Sequence, residues 1–179
     1  KEAIASVLTR EECTLAKNYA LRLLSFRRRT EKELRDKLVE KEFTPAAIDA
    51  VIAELRERGV INDVEFAKAF VHDTQLRKPS GKTLLKRKLR MKGISPVIVD
   101  TVLGEEISEK DEEFLAFEEA RKVLRRYTTS RKIIDQQKQQ RRLAQFLARR
   151  GFSWGVIVPT VKKIFQPSKS GSRDDESSI

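Results

Sequence analysis

From Arg77 to Lys92 the chain carries eight lysines and arginines and no acid: Arg77, Lys78, Lys82, Lys86, Arg87, Lys88, Arg90 and Lys92. Cations at three- and four-residue spacing repel one another along a helix, and a phosphate or carboxylate surface relieves that repulsion. A second stretch, Arg121 to Arg150, holds eleven Lys/Arg against Asp135 alone, among them Arg141, Arg142, Arg149 and Arg150. A third, Arg27-Arg28-Arg29, stands just before Thr30. The chemistry on offer is anion binding without sequence preference. Aromatic side chains are sparse among these cations, with Trp154 and Tyr127 the main candidates, so base stacking gains little support. Trp154 is expected to cover a helix start.

Catalysis has little to work with. No Gly-x-Gly-x-x-Gly, phosphate-binding Gly-Lys-Ser/Thr loop or Gly-x-Ser-x-Gly elbow occurs; Gly81-Lys82-Thr83 lacks both the upstream glycine and a preceding strand. The one histidine, His72, adjoins Asp73, but neighbouring helical residues point about 100° apart and cannot act as base and orienter. Glu105-Glu106 and Asp111-Glu112-Glu113 read as solvated faces and complements to helix N-termini rather than as metal ligands. Cys13 is the only cysteine, which excludes an internal disulfide and a CxxC knuckle. No catalytic residue, cofactor or metal is expected.

The elements that must position the cations follow from composition. In 179 residues, 39% are hydrophobic and 36% charged, with 38 Lys+Arg against 27 Asp+Glu and a net charge of +11. Those proportions support folded domains and an anionic partner. No apolar run approaches the roughly 18 residues of a membrane span, and Lys1-Glu2-Ala3-Ile4 has no signal-peptide layout, so a soluble, unexported protein is expected. The absence of an initiating Met leaves room for residues ahead of Lys1.

Apolar residues recur every three or four positions, and the few glycines and prolines fall between such segments. Thr30-Glu31-Lys32-Glu33 is a capping box; Thr44-Pro45 and Ser95-Pro96 each pair a hydroxyl cap with proline at the first helical position. Asp63, Ser108 and Ser153 read as further caps, and Gly59, Gly93 and Gly151 as C-terminal stops after basic stretches. Nine principal helices result. Gly155-Val156-Ile157-Val158-Pro159 is β-branched and proline-containing, but is read as a short or kinked helix because Ile157, Val161 and Ile164 share a face.

The helices group in threes. With Phe43, Ile94 and Phe152 superimposed, Leu34 and Leu38, Leu85 and Leu89, and Leu143 and Leu147 align as one buried stripe. Ile48 and Ile52, Val99 and Leu103, and Ile157 and Val161 align as a second. The offsets are 51 and 58 residues, the excess falling around Thr128 to Gln140. First helices are less alike: Leu15, Ala20, Leu23 and Leu24; Phe66, Ala67, Phe70 and Val71; Phe114, Phe117, Ala120 and Leu124. A unit of about 50 residues buries little apolar surface alone, so neighbours should pack end to end. The expected architecture is all-α: three tandem three-helix repeats forming an elongated, curved array. Residues 1–14 would be a lead-in segment, 15–60, 61–107 and 108–165 the repeats, and 166–179 a flexible tail. With Leu85 and Leu89 inward, Thr83, Lys86, Arg87 and Arg90 fall on the outward face of their helix.

Several of these motifs together resemble the RecX family, the bacterial modulators of the RecA recombinase. The residues that carry the likeness are Arg29-Thr30-Glu31-Lys32-Glu33-Leu34-Arg35-Asp36-Lys37-Leu38 and Leu55 to Gly59 with Ile61-Asn62-Asp63-Val64-Glu65-Phe66-Ala67. Gly81 with Leu85, Leu89 and Lys92-Gly93-Ile94, and Phe146-Leu147-Ala148-Arg149-Arg150-Gly151-Phe152, extend it over about Leu15 to Phe165. The resemblance implies three tandem three-helix repeats, no enzymatic activity, and binding along the groove of a RecA nucleoprotein filament. It further implies restraint of RecA's ATPase, strand-exchange and coprotease activities, hence damping of recombination and the SOS response. Glu42 departs from the pattern, standing where Gly93 and Gly151 end the later units.

The contacts expected to meet filament or DNA are Lys82, Lys86, Arg87 and Arg90, followed by Arg141, Arg142, Arg149 and Arg150. The competing reading is a direct single- or double-stranded DNA-binding protein whose units act like helix-turn-helix modules.

Overall fold

The computed structural model describes residues 2–129 and 135–166. Nine α-helices and no strand occur among them: α1 Glu2–Phe26, α2 Glu31–Val39, α3 Pro45–Glu57, α4 Asp63–Arg77, α5 Lys82–Met91, α6 Pro96–Glu106, α7 Glu109–Thr129, α8 Gln136–Arg149 and α9 Trp154–Phe165. The segment from Glu2 to Thr14, expected as a lead-in, is continuous with the first helix. Residues 130–134, with Arg131 and Lys132, and residues 167–179, most of the expected tail, lie outside the described residues.

Three separate cores hold these helices. The first joins Ala16 and Ala20 of α1 to Leu34, Leu38, Ile48, Val51, Ile52, Leu55 and Ile61. The second gathers Ala67, Val71, Leu85, Leu89, Ile94, Val99, Val102, Leu103 and Ile107. The third gathers Ala116, Ala120, Val123, Leu143, Leu147, Phe152, Val156 and Ile157. The six aligned leucines of α2, α5 and α8 are fully buried, so the i, i+4 stripe is the shared structural unit. First helices vary because the cores use different registers of them. Leu15 and Phe114, named among the apolar residues of the first helices, are 62% and 65% exposed, while Ala16 and Ala116 are fully buried in the cores.

Local signals explain most boundaries. The hydroxyls of Thr30, Thr44 and Ser95 accept from the backbone N–H of Glu33, Ala47 and Ile98. Ser108 accepts from the N–H of Asp111, whose carboxylate accepts in return from the Ser108 N–H and hydroxyl. Asn62, rather than Asp63, caps α4, because its Oδ1 accepts from both Val64 and Glu65. Ser153 stands at the N-cap of α9 without a side-chain cap bond, and α9 continues through Pro159 as a helix.

The units meet through polar seams that repeat. At the first seam, the Thr30 hydroxyl donates to the Lys92 carbonyl at 2.7 Å and the Glu31 N–H donates to Asp63 Oδ1 at 3.0 Å. At the second, the N–H groups of Gly81 and Thr83 donate to the carbonyls of Arg150 and Gly151 at 2.9 and 3.1 Å, while the Lys82 N–H donates to Glu112 Oε1 at 2.9 Å. Each seam sets the N-terminus of one second helix on the C-terminal turn of the next unit's second helix. It also caps that N-terminus with an acid from the next unit's first helix, as free N-terminal N–H groups require. Thus α2, α5 and α8 follow one another head to tail.

Candidate anion-binding face

The three aligned second helices differ on their outer faces. Helix α2 carries Glu31, Glu33 and Asp36 beside Lys32, Arg35 and Lys37. Its charges are matched: Lys32 with Asp36, Arg35 with Glu31 and Asp49, Lys37 with Glu40. Helix α5 carries Lys82, Lys86, Arg87, Lys88 and Arg90, and α8 carries Lys138, Arg141, Arg142 and Arg149, neither with an acid. The expected third cluster is also largely committed: Arg27 pairs with Glu33 at 2.9 Å and Arg29 donates to the Leu23 carbonyl. Unneutralised charge therefore concentrates in the second and third units.

Within α5 the four expected contacts separate. Arg87 and Arg90 are exposed and make no ion pair among the described residues. With Thr83, Lys86 and Met91 they line a shallow depression of about 490 Å³. Lys86 shares that depression, but its Nζ also reaches Asp100 of α6 at 2.5 Å. Lys82 is half-buried beside acids: its N–H meets Glu112, and its charge helps hold the Asp111 carboxyl below the usual range, after the larger effect of hydrogen bonds from Ser108. Of the four expected contacts, two thus offer free guanidinium groups and one a shared ammonium.

In the third unit Arg141, Arg142 and Arg149 are exposed, without an ion pair among the described residues. Arg150 is not a surface contact. Its guanidinium donates to the Pro79 carbonyl at 3.1 Å and pairs with buried Glu119 at 2.9 Å, while lying 5.3 Å from the Phe146 ring. It locks the second and third units together, which its place in a basic run could not reveal. Sequence reasoning also passed over Lys162 of α9, which lines a groove with Arg141. Its only signal was a basic last turn.

The head-to-tail seam places the α5 and α8 cations in one succession, since Gly81 and Thr83 at the start of α5 bond to Arg150 and Gly151 at the end of α8. Residues 16–55, 62–103 and 111–158 match, in order, the family models of the first, second and third three-helix domains of RecX. The chain belongs to the RecX family. It is 35% identical over 147 residues to the regulatory protein RecX of Chlorobium phaeobacteroides, covering 82% of this chain and 91% of that one. To the Pelodictyon phaeoclathratiforme protein of the same name it is 31% identical, covering 90% and 94%. The crystal structure of RecX from Lactobacillus salivarius superposes with a TM-score of 0.76 at 26% identity, covering 86% of this chain and 97% of that one. A regulatory role therefore comes with membership of RecX. Among the described residues no helix is long and apolar enough to cross a membrane, and no cluster of three or more His, Cys, Asp or Glu could hold a metal ion.

Proposed function

We propose that this RecX protein binds the RecA nucleoprotein filament and mainly inhibits its ATPase, recombinase and coprotease activities, acting in the cytoplasm as a non-catalytic monomer. The units, bounded near 15–60, 61–107 and 108–165, serve as successive docking modules. The observation that carries the reading is the seam between α8 and α5, which places Arg141, Arg142 and Arg149 in series with Arg87 and Arg90. Two helices of 10 and 14 residues end to end extend about 36 Å, at 1.5 Å per residue. A row of that length without matching acids suits a long, periodic, anionic partner better than a small ligand.

RecA ATPase on single-stranded DNA tests this. Wild-type protein is expected to depress turnover, and Arg87→Glu with Arg90→Glu to raise the concentration needed by about tenfold or more, as loss of centrally placed arginines does at interfaces. Full turnover at excess wild-type protein would overturn the reading. The same unpaired cations favour one alternative, direct sequence-independent binding to DNA. It predicts equally tight binding to naked DNA, with a steep salt dependence.

A further inference from the structure

The three units place the same two positions, one on the second helix and one on the third, across the same outer groove. In the first unit these are Arg35 and Asp49, paired at 2.5 Å, and in the second Lys86 and Asp100, also at 2.5 Å. The alignment that superimposes Phe43, Ile94 and Phe152 puts Ala144 and Val158 at these positions in the third unit. The cross-helix ion pair is gone, and both side chains instead line an open groove of about 360 Å³ between α8 and α9. Trp154 lines it too, at the position of Pro45 and Pro96, and is 63% exposed; Val158 is 59% exposed. Ile157 and Val161 form the floor, and Arg141 and Lys162 stand at the margins.

Exposing a valine where the sister units hold the acid of a salt bridge, and a tryptophan where they hold proline, leaves apolar surface in water, and such patches mark sites of interaction. The charge around the patch selects its occupant. Both charged lining residues are cations, and neither makes an ion pair among the described residues. We propose that the α8–α9 groove is a docking site for an acidic, amphipathic peptide segment of a partner protein. One or two apolar side chains of that segment pack on Trp154 and Val158, and flanking carboxylates meet Arg141 and Lys162. An apolar anchor framed by charge is the usual form of helix-in-groove recognition. The apolar lining favours an aliphatic or aromatic side chain over a stacked nucleobase, because Trp154 is the only aromatic residue lining the groove. This site adds a contact of different chemistry to the row of cations and stands whether or not the partner is RecA.

Trp154 is the only tryptophan of the chain, so its emission reports the groove directly. The probe is a synthetic amidated 14-residue helical peptide of Glu and Asp with Leu and Phe four residues apart. A saturable blue shift of the full-length protein's emission is expected with it, and none with the same peptide carrying Lys for Glu and Asp. Ala144→Arg with Val158→Asp rebuilds the pair of the other units across the groove, and is expected to weaken peptide binding about tenfold or more. Trp154 remains as reporter, and helicity is checked by circular dichroism. Should that variant misfold, Arg141→Glu with Lys162→Glu tests the charge requirement at exposed positions and is expected to weaken the acidic peptide similarly. Absence of a shift, or equal shifts with both peptides, would overturn the proposal. Tighter binding of oligothymidylate than of the acidic peptide would assign the groove to nucleic acid and overturn it as well. A blue-to-red change on deleting residues 167–179 would show that the chain's own Asp174-Asp175-Glu176 segment fills the groove, and would overturn a partner as occupant.

Discussion

The two seams between units share a plan but are sealed by different means. At the second seam, main chain meets main chain: Gly81 and Thr83 donate to Arg150 and Gly151. A Cβ on Gly81 would stand 2.2 Å from the Gly151 oxygen, and one on Gly151 would stand 2.3 Å from Leu84 Cβ and 2.4 Å from Leu84 N. At the first seam the position of Gly81 is held by Thr30, whose hydroxyl spans the gap to Lys92, and the three atoms nearest a Cβ on Gly93 would be Cβ, Cγ and Cδ of Lys32. The first seam is a side-chain joint and the second a backbone joint. This difference also accounts for Glu42. The aligned turns have φ 61° at Glu42, 85° at Gly93 and 82° at Gly151, so all three adopt the left-handed conformation. Glycine is required at the latter two by close approach as well as by φ. Glu42 ends the first unit's second helix, is exposed, and meets only the conformational cost.

A series of alanine substitutions separates these costs. Gly151→Ala combines left-handed strain of about 1–2 kcal/mol with overpacking of about 1–3 kcal/mol, and is expected to destabilise most, by about 2–5 kcal/mol in urea unfolding. Gly93→Ala should cost less than Gly151→Ala, because the atoms nearest its added Cβ belong to the Lys32 side chain and none to backbone, but more than strain alone, because Lys32 Cβ stands at 2.3 Å and is held by its own backbone. Gly59→Ala, with φ 68° and nothing within 4 Å of a built Cβ, should cost the strain alone. Glu42→Gly should stabilise by up to about 1 kcal/mol. Equal losses at Gly151 and Gly59 would show that close approach at the second seam contributes nothing.

The ion pairs sharpen the same contrast at smaller scale. Arg150 and Glu119 are 17% and 7% exposed at the side chain, whereas Lys92 and Glu33 are 28% and 21% exposed. Removing one member of a buried pair strands the other, at about 3–5 kcal/mol in the full case. Glu119 keeps Lys122 at 3.0 Å, so Arg150→Ala is expected to cost about 2 kcal/mol, and Lys92→Ala about half that. Thermal unfolding of both variants checks the order. A larger loss for Lys92→Ala would reverse the assignment of the stiffer joint.

What the sequence made legible was what neighbouring residues decide together. The leucine pairs at i, i+4 and the Thr44-Pro45 and Ser95-Pro96 caps are local, and each stands where its spacing put it. Arg150, Glu119 and Pro79 are 31 and 71 residues apart along the chain, so no periodicity marks them as one cluster. Asp63 reads as a cap of its own helix, whereas its carboxylate caps α2 of the preceding unit and Asn62 caps α4. The free cations were only partly legible for the same reason. Arg87 and Arg90 differ from Lys82 and Arg150 by the acids that the fold, rather than the sequence, brings near them.

The first seam carries two acids whose titrations oppose one another. Burial pushes Glu33 upward, but hydrogen bonds from Lys92 and Arg27 outweigh it and hold the carboxyl below its ordinary value. Glu33 therefore contributes stability that is full above its unfolded pKa and is lost as pH falls through the folded one. Asp63 is pushed the other way, by burial first and by the charges of Glu31 and Glu33, against the lowering effect of the Glu31 N–H. In Asp63 the folded form binds its proton more tightly than the unfolded chain, so its ionisation weakens the fold as pH rises from the usual aspartate range through the raised value. Asp63→Asn keeps an oxygen to accept from Glu31 and removes the charge. It is expected to leave stability at neutral pH unchanged or raised by less than about 1 kcal/mol, within the range of a partly buried hydrogen bond between neutral groups. Its stability is also expected to rise more steeply with pH between about 4 and 6 than that of the wild type, because the opposing contribution of Asp63 is gone. Urea midpoints across that pH range decide it. A wild-type pH profile unaltered by Asp63→Asn would mean that the trans cap of α2 is neutral to titration, and that the two seams differ in packing alone.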